Sequence, residues 1–272
     1  MSASPPPRHG RRFLVRGLLA VAALALALIA ASQFRTPRLD RDWDEDVAVL
    51  ADVSIASDGT HFTIRNARAW RYASAGPITR DTFTATYRFA DLSGMAFYEQ
   101  PLDRSGLIAH TFVVFEFAGD YAEPLLGVSV ETRRERGEKY SLLKGALRGF
   151  ELTYTWATAT DLVERRVKYL GYRLRQYPVR QAVADQRRYL ERFLRETIAL
   201  ASEPRWYNTI TSNCTNVIIA AANDVAPGFV PFDISFVLTG LAPRYLAERG
   251  ILDGDEVVAV TAENFASVVA RR

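Results

Sequence analysis

The chain has one long uncharged stretch, residues 17–31, directly behind four arginines, Arg8, Arg11, Arg12 and Arg16. This arrangement decides which part of the chain can fold in water. Fifteen apolar residues match the core of a signal peptide and fall short of the ~20 that a bilayer-spanning helix needs. A snorkelling Arg16 lets residues 13–15 and Phe34 extend the span to 22 residues. Ala30-Ala31-Ser32 is a passable cleavage site, so a removed signal stays open beside the preferred reading, an uncleaved anchor. In both, the arginine-bearing tail stays inside and the remainder is exported, although Arg35, Arg38 and Arg41 weaken that bias. The organisation expected is a cytoplasmic tail over 1–16, a membrane anchor or signal segment over 17–34, a linker over 35–46 and one folded domain over 47–272.

Charge then excludes a function class. The chain holds 34 basic and 31 acidic residues, but the tail has four of the basic ones and no acid, so residues 35–272 carry 30 against 31. A balanced domain lacks the basic patch that phosphate backbones require, so no nucleic-acid partner is expected. Neither a P-loop nor a GxGxxG turn is present, and no cofactor is implied. No cysteine follows the apolar run that could make the chain a lipoprotein. The 238 residues after the anchor suffice for a core without disulfide staples.

Two periodicities divide the domain. Residues 53–55 and 61–64 flank the turn sequence Ser57-Asp58-Gly59 and predict a hairpin. Residues 82–89 alternate, with Phe83, Ala85, Tyr87 and Phe89 on one face. Residues 107–117 and 125–132 flank Gly119-Asp120 as a second hairpin, and 151–156 predicts a further strand. After Pro178 the apolar spacing becomes helical, over 179–202, 214–222 and 241–249. Strands first and helices later define an α+β domain with an antiparallel sheet packed against C-terminal helices.

Cys214 is the only cysteine, which is notable in an exported chain. Thr211, Ser212 and Asn213 precede an apolar helical run and are capping residues, which puts Cys214 in the first helical turn. Unpaired N–H groups and the positive end of the helix dipole favour a thiolate there, and so a nucleophile. The competing reading is a packed, inert thiol. A thiol nucleophile needs a base. Of three histidines, His9 lies in the tail and His61 beside a turn, whereas His110 lies inside an apolar strand, on the face of Ile108, Phe112 and Val114. With a hairpin loop of residues 118–123, Phe117 pairs with Pro124 and His110 stands opposite Glu131 on one face. A carboxylate there fixes the imidazole tautomer; a slip of one residue separates the two. The alternative reading leaves Glu131 in the solvated run 131–138. A zinc site of Cys214, His110 and Glu131 is the weaker rival, since no tight ligand spacing accompanies it, and no metal is expected.

Several segments together resemble the Lnb N-terminal periplasmic domain family. They are His110-Thr-Phe-Val-Val-Phe-Glu-Phe, Val128-Ser-Val-Glu-Thr-Arg-Arg-Glu-Arg-Gly-Glu, Gly149-Phe-Glu-Leu-Thr-Tyr and Trp206-Tyr-Asn-Thr-Ile-Thr-Ser-Asn-Cys-Thr, with Ile64-Arg-Asn-Ala-Arg-Ala-Trp upstream. The similarity runs from about Asp40 to about Gly250. It implies a periplasmic thiol enzyme on a bacterial inner membrane, with the family's cysteine and histidine at Cys214 and His110. The better-studied relatives are lipoprotein N-acyltransferases, so a membrane lipid or lipoprotein is the implied partner. The order of histidine then cysteine is similar to that of circularly permuted papain-like enzymes, where Tyr207 or a backbone N–H near Cys214 would serve the oxyanion. Two departures stand out: Asn216 replaces a usual threonine, and the multi-span portion of the acyltransferases does not follow. The thiol chemistry therefore carries over better than the lipoprotein substrate. The reading is a membrane-anchored cysteine acyltransferase or hydrolase; the alternatives are a cell-wall peptide amidase and a non-catalytic envelope module. Residues 228–238 could supply an apolar acyl groove, but ordinary core is the preferred reading of that run.

Overall fold

The computed structural model describes residues 8–225, 228 and 230–270. The first seven residues of the expected tail over 1–16, residues 226–227 and the last two residues of the expected domain, and Phe229 within the apolar run 228–238 lie outside the described residues.

Helix α1 (Arg8–Gln33) opens the chain. Its apolar part, Phe13–Gln33, is 21 residues long with a mean hydropathy of 2.5; its most apolar 18-residue window is not buried by the rest of the protein, and near its end Ser32 is buried. At ~1.5 Å per residue this part is ~31 Å long, the thickness of a bilayer's hydrocarbon core. Alone, such a helix would also fit a signal segment.

Past α1, residues 35–46 lie along the domain. Trp43 is buried under the Arg133 guanidinium, 4.3 Å from its ring centre, and Arg41 meets Glu151 at 3.0 Å. A single turn, α2 (Glu45–Ala48), starts at Asp44, whose carboxylate accepts from Glu45 N–H. The first hairpin, β1 (Asp52–Ile55) and β2 (His61–Arg68), turns at Gly59, which takes φ 66°. A small two-stranded sheet follows, β3 (Arg71–Ala73) and β4 (Gly76–Thr79). Then come β5 (Thr82–Arg88), β6 (Leu92–Pro101), β7 (Ala109–Phe117) and β8 (Leu125–Arg133). After the short α3 (Leu142–Ala146) come β9 (Glu151–Thr158), α4 (Ala159–Glu164) and a π turn over Arg165–Tyr169. The remainder is β10 (Leu174–Pro178), α5 (Val183–Ser202), α6 (Cys214–Val225), α7 (Ala242–Glu248), β11 (Val258–Val260) and α8 (Phe265–Ala270).

The main sheet runs β1-β2-β9-β8-β7-β6-β10-β11, with β5 also on β2. All its pairings are antiparallel except the single contact of β2 with β9 at Arg68↔Ala157. Both faces are covered. On one, α5 and α6 pack over Phe97, Val113, Phe115, Val128 and Trp156. On the other, α4 and α8 cover Ala96, Tyr98, Phe112 and Val114. The expected helices all followed Pro178; α4 arises earlier, between β9 and β10. Two-sided cover also explains why β6 lacks an alternating pattern: Met95 to Gln100 are buried in succession, whichever face they point to. The result is a mixed α+β domain with a mostly antiparallel sheet behind one apolar helix.

The β7–β8 hairpin has the register expected from its loop: Phe117 N–H reaches Pro124 O at 2.9 Å, and Phe112 stands opposite Ser129. There the pairing stops. β8 continues with β9 to Arg133↔Glu151, and β7 with β6 to Pro101↔Ala109. The centre of the sheet therefore opens between two strands that each remain paired on their outer side.

Candidate active site

The N-terminus of α6 fills that opening. Asn213 caps the helix: its Oδ1 accepts from Asn216 N–H at 2.8 Å. Its amide is fixed in turn by the carbonyls of Thr209 and Phe236, both at 2.8 Å. Cys214 is therefore the first helical residue, where the amides have no carbonyl partner within the helix. The sulfur takes the place of a strand. Thr111 N–H points to the same edge as Phe117 N–H, towards β8, and donates to Cys214 Sγ at 3.4 Å. One residue further on, Thr215 Oγ1 meets Thr111 Oγ1 at 3.3 Å.

His110 projects beside this junction. Its Nε2 lies 2.8 Å from Ser129 Oγ and 3.3 Å from Glu131 Oε1. Ser129 Oγ donates to Glu131 Oε1 at 2.7 Å, so the hydroxyl relays the carboxylate to the ring. Arg166, with a side chain only 1% exposed, donates to both: 3.1 Å to Ser129 Oγ and 2.9 Å to Glu131 Oε1. With Nε2 occupied, Nδ1 is the nitrogen left to face the thiol, and the two groups are close enough to shift each other's ionisation. Cys214, His110 and Glu131 therefore come together.

Electrostatics follow from these contacts. Burial disfavours ionisation of the Cys214 thiol, but the His110 charge, its hydrogen bond and the Thr111 N–H outweigh that and bring the pKa down to about 7. Burial likewise opposes a charged His110, yet the Glu131 carboxylate and the sulfur raise it to about 9. Glu131 is half-buried, which also opposes its charge, and His110 and Arg166 nevertheless hold it well below the usual carboxylate range. Between those two pH values the pair is a thiolate facing an imidazolium. Arg166 is lowered to about 10 by burial, against the pull of Glu131, and stays charged at neutral pH.

The group opens into a cavity of about 330 Å³. Tyr207 lines it with Cys214, and burial, the sulfur and a hydrogen bond with Tyr140 raise its phenol well above the usual range, keeping it protonated. Leu102, Ile108, Leu142, Leu170 and Val237 form an apolar wall. Also in the lining, Asp46 Oδ2 meets Arg134 at 3.1 Å and Arg165 at 2.6 Å. Among the described residues, no group of three or more His, Cys, Asp or Glu is arranged to hold a metal.

Ser129, Arg166, Gln100 and Asp46 belong to the site without any expectation from sequence. Ser129 had a signal: it is two residues before Glu131 and so shares its strand face. Gln100 stands opposite His110 in the β6–β7 ladder. Arg165 and Arg166 come from the π turn, closed by Leu170 N–H on Arg165 O at 3.0 Å, and nothing in the sequence marks that turn. His61, by contrast, bonds Thr60 beside its turn, away from the cavity.

A cysteine at a helix start, paired with histidine and carboxylate in the split centre of an antiparallel sheet, defines a thiol-bearing α+β domain. The model of the Lnb N-terminal periplasmic domain family matches residues 79–240, and the chain belongs to that family. It is thus a periplasmic domain behind a candidate membrane span. No curated protein and no solved structure matches the chain.

Proposed function

We propose that the chain is a membrane-anchored periplasmic cysteine acyltransferase or hydrolase of permuted papain-like architecture, held by residues 17–34 in the inner membrane, with residues 47–272 as its working domain. The carrying observation is the Cys214 sulfur at the first turn of α6, bonded by Thr111 N–H and facing an imidazole whose far nitrogen is held by Ser129 and Glu131. A nucleophile, its base and a group orienting the base form the constellation that acyl transfer to a thiol requires.

The Cys214 thiolate attacks the carbonyl carbon of an ester or amide. The C=O π pair moves onto oxygen, and the protonated Tyr207 hydroxyl with the first amides of α6 stabilises the charge. As that pair returns, the bond to the leaving alcohol or amine breaks and His110 supplies its proton, leaving an acyl-thioester. His110 then takes a proton from the acceptor, an amine or water, which attacks the thioester and expels the thiolate. Glu131, through Ser129, stabilises the imidazolium in both halves. The apolar wall suits a fatty acyl chain, so the donor is a membrane lipid and a lipoprotein amine is a fitting acceptor. At about 330 Å³ the cavity is within the ~300–1,000 Å³ common for ligand sites.

The test is intact-mass analysis of the full chain in proteoliposomes offered phospholipid or, separately, cell-wall peptides. The expected result is a lipid-derived acyl adduct on Cys214, absent in Cys214→Ser, with turnover lower by about 10³-fold or more in that variant. An adduct from peptides alone assigns an amidase instead, and no adduct from either donor contradicts the enzyme reading.

A further inference from the structure

The far end of α1 is held against the domain next to the cavity. Arg148 donates to Gln33 O at 3.2 Å, Arg35 donates to Arg148 O at 3.3 Å, and Trp206 donates to Arg35 O at 3.4 Å. Between α1 and α3 runs an apolar groove with Leu28, Ala31 and Ser32 on one wall and Leu143, Lys144 and Leu147 on the other. Leu28 lies within the apolar span Phe13–Gln33, five residues before its end. At ~1.5 Å per residue that is ~7 Å inside the hydrocarbon boundary. Whatever depth α1 takes, α3 is therefore brought to the membrane surface with it.

The chemistry of α3 fits that position. Leu143 is 69% exposed and Leu142 48% exposed, two adjacent apolar side chains on the one turn that borders α1, which makes them a patch and not a scattered surface leucine. Arg35 and Arg148 donate to main-chain carbonyls and meet no carboxylate among the described residues, so their charges are free for lipid phosphates. Thr209 donates to Leu142 O at 3.0 Å and so ties α3 to the loop before Cys214, where Ile210 is 50% exposed. Leu142 and Thr209 line the cavity as well. Helix α3 thus has one flank on the groove beside α1 and the other on the site.

We propose that α3 is a second membrane contact: it lies in the interface of the bilayer that α1 spans, with Leu143 among the acyl chains and Arg35 and Arg148 on anionic headgroups, so that the Cys214 cavity opens at the lipid surface. This rests on reading α1 as a span and deepens the proposed function by giving its substrate a route of entry that avoids water. Basic residues flanking apolar side chains are the pattern of a segment lying in a membrane interface.

The test uses the full chain with Cys214→Ser, in vesicles of phosphatidylglycerol brominated on its acyl chains, so that thiol chemistry plays no part. Tryptophan is introduced by Leu24→Trp, Leu143→Trp or Ala122→Trp, and the added emission over the parent is read. Ala122 is in the exposed β7–β8 turn, at the opposite end of nine-residue strands and so ~30 Å from the cavity. The expected result is at least a two-fold loss of added emission for Leu24→Trp and Leu143→Trp, and none for Ala122→Trp. Quenching at Leu24→Trp but not at Leu143→Trp overturns the α3 contact and leaves the anchor. Quenching at neither overturns both, and equal quenching at all three overturns the orientation.

Discussion

The cavity's behaviour depends on one hydroxyl. Ser129 Oγ stands between His110 Nε2 at 2.8 Å and Glu131 Oε1 at 2.7 Å, while Arg166 holds it from the side. In Ser129→Ala the ring keeps only the direct 3.3 Å approach to Glu131. We expect a loss of about 1–2 kcal/mol in urea unfolding, the cost of an unmade buried hydrogen bond. Glu131 itself sets an acid limit. Its folded pKa is depressed, so its contribution is complete above the ordinary carboxylate value, about 4.3, and is lost as pH falls below it. Glu131→Gln should cost about 3 kcal/mol at pH 7, because it leaves Arg166 buried with a weaker partner. Its melting temperature should then fall less than the parent's between pH 5 and pH 3, which thermal melts at each pH would show. His110 acts in the opposite sense: its raised pKa contributes stability below about 6.5 that is lost as pH rises through about 9.

At the scale of elements, what matters is that β7 and β8 separate after Phe112↔Ser129. Thr239 holds the free end of β7 in place, donating to Ala109 O at 2.6 Å and accepting from Ala109 N–H at 2.9 Å. The next residue, Gly240, has no room for a side chain: a Cβ there would lie 2.0 Å from Gly106 O. Gly240→Ala must move that backbone and pull Thr239 off β7. About 1–3 kcal/mol of stability should go, by urea unfolding, together with part of the Cys214 reactivity at neutral pH. Such elements were unevenly legible. The turns at Gly59 and between Phe117 and Pro124, with alternation around them, were enough to place both hairpins and the register that sets His110 against Glu131. The caps Thr211, Ser212 and Asn213 were enough to place Cys214 at a helix start. β6, covered on both faces, had no period to read, and the π turn carrying Arg166 has no local signature.

Across the whole molecule, the site joins a strand-rich half that supplies His110, Ser129 and Glu131 to a helical half that supplies Cys214. That meeting could be stated from the sequence only as a requirement of thiol chemistry, because distances between remote segments are fixed by packing. The strap formed by residues 35–46, which brings Asp46 to the cavity wall, read as plain polar linker for the same reason: Trp43 gains its burial from Arg133, ninety residues on. The central claim is that these halves meet as an ionised sulfur–imidazole pair. Its most direct test is the rate of Cys214 alkylation in the full chain from pH 5 to pH 10, with His110→Ala beside it. The account predicts a midpoint near 7 in the native chain, moving to about 8.5 or above without the imidazole. A native midpoint already at the ordinary thiol value, unmoved by His110→Ala, would contradict it.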